Sequence, residues 1–232
     1  MKSDKQKEGI NAAAALNDKT NSLYSRMLLY AVTDRSWLNG RSLRHDVLSA
    51  LQGGATMIQL REKELDFQSF LSEAKEIKAV CAQYKVPLII NDNIEIALAC
   101  GADGVHLGQS DETARNARLK LGKDKIIGIS VQTAEQAAAA QQEGADYLGV
   151  GAVFATSTKK DADFVSYEVL KSICSSVSIP VCAIGGINKQ NIMQLAGSGI
   201  DGVALVSAIF AAQDIESECI ELLKLSKRMV QA

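Results

Sequence analysis

The sequence predicts an α/β protein folded as a single (β/α)8 barrel of the TIM type. Eight short aliphatic or β-branched runs follow one another from residue 28 onward, longer segments with helical apolar spacing separate them, and no Pro-, Gly- or Ser-rich linker breaks the alternation. The 232 residues are enough to bury one good core, and a barrel of this size needs no second domain. Regular crossovers favour the closed barrel over its main competitor, a doubly wound open sheet.

The strands are read, in order, as LLYAVTD (28–34), TMIQLR (56–61), PLIIN (87–91), DGVHL (103–107), IIGIS (126–130), DYLGVG (146–151), PVCAIGG (180–186) and DGVALV (201–206). Helices are expected over 43–52, 67–84, 133–143, 166–175 and 188–196, with Asp66, Thr133, Ser166 and Asn188 as caps. A weak internal echo supports the count. GGATMIQL, CGADGVHL, EGADYLGV and SGIDGVAL each place a glycine just past a helix, where a left-handed residue is wanted, and then begin a strand. Residues 1–25 are expected to form an N-terminal extension, either a short helix or a partly disordered tail, leaving 26–232 as the barrel.

Composition excludes several classes. Hydrophobic residues make up 47% and charged residues 22%, and a net charge of -2 gives no general attraction to nucleic acid. The apolar run Ala12 to Leu16 is too short for a signal-peptide core and no stretch approaches a membrane span, so a cytoplasmic protein is expected. Five cysteines, an odd number without a C-x-x-C pair, read as small buried hydrophobes rather than a disulfide framework. The two histidines, His45 in a helix and His106 inside strand 4, are too few for a His-rich zinc site or a Ser-His-Asp triad, and His106 reads as a packed residue. No G-x-G-x-x-G or Walker motif is present, which disfavours dinucleotide and P-loop enzymes.

The unusual polar residues fall at one end of the predicted barrel. Strand 2 ends in Gln59, Arg61 and Lys63, strand 3 in Asn91 and Asp92, and strand 5 in Ser130. Gln109 and Asp111 follow strand 4, and Thr156, Thr158 and Lys159 follow strand 6. Those are C-terminal strand ends, where barrel active sites gather. Arg61, Lys63 and Lys159 would repel one another without an anion among them, while Asp92 and Asp111 supply the carboxylate oxygens that Mg²⁺ prefers. Together they describe a Mg²⁺-diphosphate site. Helix capping stays open for both aspartates, since Asp111 precedes ETARNARL and Asp92 precedes a helix from Asn93. A second anion site is suggested where Gly185 and Gly186 open the predicted 188–196 helix and Ser207 opens the last one, although the glycines alone could serve only a tight turn.

YAVTD, MIQLREK, LIINDN, GADGVHLGQSD, IIGIS, GVGAVFATSTKKDA, AIGGI and GVALVSAIF, in that order, resemble the thiamine-phosphate synthase family from about Leu28 to Phe210. The resemblance implies a barrel enzyme, a transferase that joins a hydroxymethylpyrimidine diphosphate to a thiazole monophosphate, releasing pyrophosphate and using Mg²⁺. It implies that Gln59 holds the pyrimidine and that Arg61, Lys63, Asn91, Thr156, Thr158 and Lys159 hold the diphosphate. Asp92 and Asp111 would bind the metal, Ser130 would touch the reacting region, and Gly186, Val206 and Ser207 would hold the thiazole phosphate. Ser130, Lys159 and Arg61 are the candidate catalytic groups. Partners are small molecules, and a homo-oligomer is compatible with the sequence. The family often carries proline where this chain has Ala152 and Ala155, which predicts a less rigid sixth loop, and related proteins often carry histidine where this chain has Gln132. The latter bears on an alternative, a thiazole tautomerase of similar fold, which would use such a histidine for proton transfer. Two further alternatives are a phosphate-binding barrel without catalysis and a phosphosugar isomerase or aldolase, which would want a base or Schiff-base lysine on a strand.

Overall fold

The computed structural model describes residues 23–155 and 164–232. Eight parallel strands close into a barrel in sequence order: β1 (Leu29–Val32), β2 (Met57–Leu60), β3 (Leu88–Asn91), β4 (Gly104–Leu107), β5 (Ile126–Val131), β6 (Tyr147–Val150), β7 (Val181–Ile184) and β8 (Gly202–Leu205). Every strand read from the sequence is present, trimmed at its ends except β5, which runs one residue further, to Val131. Helices on the outside bury the strands' outer faces, so the strands are apolar on both sides rather than alternating. The barrel interior is filled by Met27, Tyr30, Val32, Met57, Ile89, Tyr147, Cys182 and Ala204.

Helices at Leu43–Gln52, Phe67–Gln83, Ala134–Gln142 and Tyr167–Ser176 match their expected positions closely, and Asp66, Thr133 and Ser166 cap three of them as predicted. Four more helices form at Ile94–Cys100, Ala114–Leu121, Ser207–Phe210 and Ile215–Gln231. The helix expected over 188–196 does not form. Only a 3-10 turn at Ile192–Leu195 is present, and Asn188 is not its cap. Side-chain amides compete with helical bonding there: Asn191 Oδ1 accepts the Asn188 N–H at 2.8 Å, and Asn188 Oδ1 accepts the Gln190 N–H at 2.9 Å.

The internal echo has a structural meaning. Its glycines Gly54, Gly101, Gly144 and Gly199 all have positive φ, between 69° and 95°. The residue two positions beyond each, namely Thr56, Asp103, Asp146 and Asp201, exchanges a pair of hydrogen bonds with a residue at the start of the preceding strand, the first in β1, β3 and β7 and the second in β5. Each donates its backbone N–H to the carbonyl of Leu29, Leu88, Ile127 or Val181, and its side chain accepts the N–H of that same residue at 2.7–2.8 Å. The barrel is thereby stapled in four strand pairs at the end opposite the polar residues.

Lys78 pairs with Asp103 at 2.6 Å and Arg118 with Asp146 at 2.6 Å, whereas Asp201 has no ion pair among the described residues. Burial pushes its carboxyl up to about 6, against the lowering effect of the Val181 N–H. A folded-state value above the unfolded one means that the native chain holds this proton longer. The group therefore costs stability progressively as pH rises from about 4 to about 6. The upper limit is about 3 kcal/mol for a two-unit shift, reduced to roughly 1 by solvent screening of a partly exposed group. Asp201→Asn, which keeps the acceptor oxygen, should be more stable than the parent at pH 7 and no more stable at pH 4. Denaturant melts at both pH values check this, and an equal difference at the two would contradict it.

Candidate active site

The C-terminal ends of the strands surround a cleft of about 570 Å³. Ten of the residues singled out from the sequence line it: Gln59, Arg61, Lys63, Asn91, Asp92, Asp111, Ser130, Gly186, Val206 and Ser207. They come from six strand ends distant in sequence, and closure of the barrel brings them together. Thr156, Thr158 and Lys159 lie outside the described residues. The base of their loop is tied down despite its alanines. Val153 N–H bonds the Ile184 carbonyl at 3.0 Å, Phe154 N–H that of Gly185 at 3.1 Å, and Val165 N–H that of Ala152 at 2.8 Å.

The capping alternative for the two aspartates fails. Asn93 caps Ile94–Cys100 by accepting the Ile96 N–H, and Thr113 caps Ala114–Leu121 by accepting the Asn116 N–H. Asp92 instead sits at φ 62° directly after β3, a strained position for a non-glycine residue, with Lys63 Nζ on its Oδ2. Asp111 Oδ2 accepts the Gly108 N–H at 2.7 Å. Its carboxyl lies above the ordinary range, first because of burial and further because Asp92 stands against it. Two carboxylates held side by side against their repulsion, neither used by a helix, are a donor set for a hard divalent cation. Among the described residues no group of three or more His, Cys, Asp or Glu side chains could hold a metal. Mg²⁺ takes one or two carboxylates and completes its shell with water and phosphate oxygens.

The cations are positioned by residues that the sequence reading passed over. Arg61 donates its backbone N–H to Thr33 Oγ1 at 3.0 Å, and its guanidinium meets Asp34 at 3.1 Å. Between Arg61 and Lys63, Glu62 is pinned. Its Oε1 accepts the N–H groups of Lys63 and Glu64 at 2.8 and 2.9 Å, its Oε2 accepts from Arg35 Nε at 2.8 Å, and Arg35 Nη2 also donates to both carboxylate oxygens of Glu73. Burial opposes ionisation of Glu62, but the N–H of Glu64, the Arg35 guanidinium and the N–H of Lys63 together hold its carboxyl below the usual range. Thr33 and Asp34 were present in the YAVTD run. Nothing in the spacing marked Arg35 and Glu73 as partners, because they are 38 residues apart and meet only when the turn after β1 packs against the helix Phe67–Gln83.

The second anion site loses one support. Without a helix over 188–196 there is no helix N-terminus behind Gly185 and Gly186, and local geometry requires both glycines. They have φ of 101° and 65°, and a Cβ at Gly186 would stand 2.4 Å from the Ala155 carbonyl oxygen. Gln132, at the position where a tautomerase would place its histidine, does face the cleft.

Inside the barrel, beneath the cleft, Gln59 Nε2 donates to Tyr30 OH at 2.6 Å, the Tyr30 and Tyr147 hydroxyls are 2.8 Å apart, His106 Nδ1 lies 2.9 Å from Tyr147 OH, and His106 Nε2 lies 2.9 Å from Ser130 Oγ. Tyr30 and Tyr147 had read only as apolar strand residues.

With that geometry in place, known proteins supply the context. The model of the family described as "Thiamine monophosphate synthase" matches residues 29–209. The thiamine-phosphate synthase of Clostridium tetani is 49% identical over 194 residues, 84% of this chain and 93% of that protein. That of Ruminiclostridium cellulolyticum is 51% identical over 197 residues, covering 85% and 94%. Among solved structures, a thiamine phosphate pyrophosphorylase from Pyrococcus furiosus superposes with a TM-score of 0.82 at 38% identity, over 89% of this chain and 98% of that one. The barrel, the residues gathered at its open end and these matches agree: the chain belongs to the thiamine monophosphate synthase family.

Proposed function

We infer that the protein is a thiamine-phosphate synthase, joining a hydroxymethylpyrimidine diphosphate to a hydroxyethylthiazole phosphate with release of pyrophosphate. The observation that carries this reading is the pair Asp92 and Asp111, released from helix capping and set beside Arg61 and Lys63 in one cleft. Gln59 and Ser130 orient the pyrimidine. Arg61, Lys63 and Asn91, with Thr156, Thr158 and Lys159 of the sixth loop, hold the diphosphate. Gly186, Val206 and Ser207 hold the thiazole phosphate. Asp92 and Asp111 would carry Mg²⁺, which when bound supplies neutralisation of diphosphate charge.

The bond from the pyrimidine methylene to the diphosphate oxygen breaks with its electron pair leaving on pyrophosphate, and the thiazole nitrogen supplies the pair for the new C–N bond. Fixed cations favour the departing group where its charge grows, and the electron-rich aminopyrimidine tolerates the charge left on the methylene. No protein nucleophile is required. That fits a cleft in which the lining cysteine, Cys182, is fully buried, its thiol pushed up to about 12 by that burial. No helix among the described residues is long and apolar enough to cross a membrane, and a cytoplasmic location accords with the unpaired thiols.

The tautomerase alternative wants a proton shuttle beside the thiazole and no diphosphate pocket, and the cleft offers Gln132 where that shuttle would stand. A direct test uses pyrophosphate with and without Mg²⁺ in thermal unfolding. Asp92 and Asp111 repel the free anion and attract its metal complex, so stabilisation should be strong with Mg²⁺ and weak in chelator. Equal stabilisation in both would remove the metal from the site.

A further inference from the structure

The buried polar chain under the cleft has a direction, and the direction decides what the cleft offers a ligand. Tyr30 and Tyr147 are 1% and 0% exposed, their rings meet edge to face at 5.9 Å, and His106 packs 5.4 Å from the Tyr147 ring. Two interior glycines make the room. A Cβ at Gly128 would lie 2.1 Å from Tyr147 Cζ, and one at Gly149 would lie 3.0 Å from His106 Cε1. Each phenol has a single proton, and burial pushes both phenols far above their ordinary range, so both stay protonated.

Gln59 Nε2 donates to Tyr30, so the Tyr30 proton goes to Tyr147, the Tyr147 proton goes to His106 Nδ1, and the imidazole proton sits on Nε2 facing Ser130 Oγ. We propose that Tyr30, Tyr147 and His106 are positioning residues forming a one-way relay, which makes Gln59 present its carbonyl and Ser130 its hydroxyl proton to the cleft. Reversing the chain would turn the Gln59 amide over and spend the Ser130 proton on His106 Nε2, so Gln59 would present a donor and Ser130 an acceptor. The relay therefore sets one acceptor and one donor about the ring that lies between Gln59 and Ser130, the pattern that selects an aminopyrimidine over its carbonyl-bearing analogue. This last step rests on the substrate reading above; the direction of the relay does not.

The test separates the two. The chain has two histidines, so ¹⁵N-histidine NMR of the full ligand-free protein shows two rings, and His45→Gln identifies that of His106. At neutral pH the His106 ring should show a protonated Nε2 and an unprotonated Nδ1, and Tyr147→Phe should collapse this to a mixture of tautomers. If that variant does not fold, Tyr30→Phe should show the same loss. A protonated Nδ1 in the parent, or an unchanged ring in the variants, overturns the relay.

Calorimetry with 4-amino-5-hydroxymethyl-2-methylpyrimidine then reads its consequence. Tyr30→Phe should weaken this ligand about tenfold, the worth of one misdirected hydrogen bond, while Mg²⁺-pyrophosphate binding stays within about a factor of two. Parallel loss of both ligands would reduce the chain to packing and overturn the proposal. Failure of the parent to bind the pyrimidine, with the His106 pattern as stated, overturns the substrate reading and leaves the relay supported.

Discussion

Asp92→Asn lowers turnover by about 10² to 10³, the cost of removing one preorganised electrostatic contact from a charge-transfer step, with the barrel left folded. Asparagine is the informative replacement because residue 92 has φ 62°, a conformation that asparagine tolerates and alanine does not. The Asp92 N–H bond to the His106 carbonyl at 2.9 Å also survives the change. What is lost is one carboxylate charge beside Asp111 and under Lys63. The Mg²⁺ concentration for half-maximal rate should rise together with the fall in kcat. Steady-state rates across a Mg²⁺ titration check this, and a variant within about twofold of the parent at every concentration rules Asp92 out as a ligand.

Lys159→Ala should cost a similar factor, about 10² to 10³, and mainly in kcat. The lysine belongs to the TSTKK run that follows β6 and, in the proposed site, would join Arg61 and Lys63 as a third cation for one diphosphate. A contact that strengthens as charge moves onto the leaving group lowers kcat when removed, whereas a simple anchor raises KM with kcat intact. The split between kcat and KM for the pyrimidine diphosphate therefore distinguishes a group that acts on the departing pyrophosphate from a solvated loop residue.

The barrel was legible because its signals are local and repeated. Apolar runs, cap residues and post-helix glycines each act within a few residues, so strands such as Leu88–Asn91 and helices such as Leu43–Gln52 could be read directly. The 188–196 segment misled because asparagines that resemble caps used their side chains on nearby backbone N–H groups, Asn191 on that of Asn188 and Asn188 on that of Gln190. The aspartates at 92 and 111 looked like caps for the opposite reason, since the residues that do the capping, Asn93 and Thr113, stand only one and two positions further on.

At the site, charge and position along the strands sufficed for the groups that face the cleft. The groups beneath it were hidden. Tyr30 and Tyr147 are 117 residues apart, and their pairing exists only because the barrel closes and Gly128 leaves a space. Arg35, Glu62 and Glu73 are likewise brought together by loops packing on the helix Phe67–Gln83, which no spacing rule anticipates.

The central claim is a coupling of two phosphorylated halves, and a joint product assay addresses it directly. Purified protein given the hydroxymethylpyrimidine diphosphate, the thiazole phosphate and Mg²⁺ should release one pyrophosphate for each thiamine phosphate formed, and should form neither when chelator replaces the metal. Isomerisation of the thiazole without any pyrophosphate, in the presence of the pyrimidine diphosphate, would contradict the account and put the tautomerase in its place.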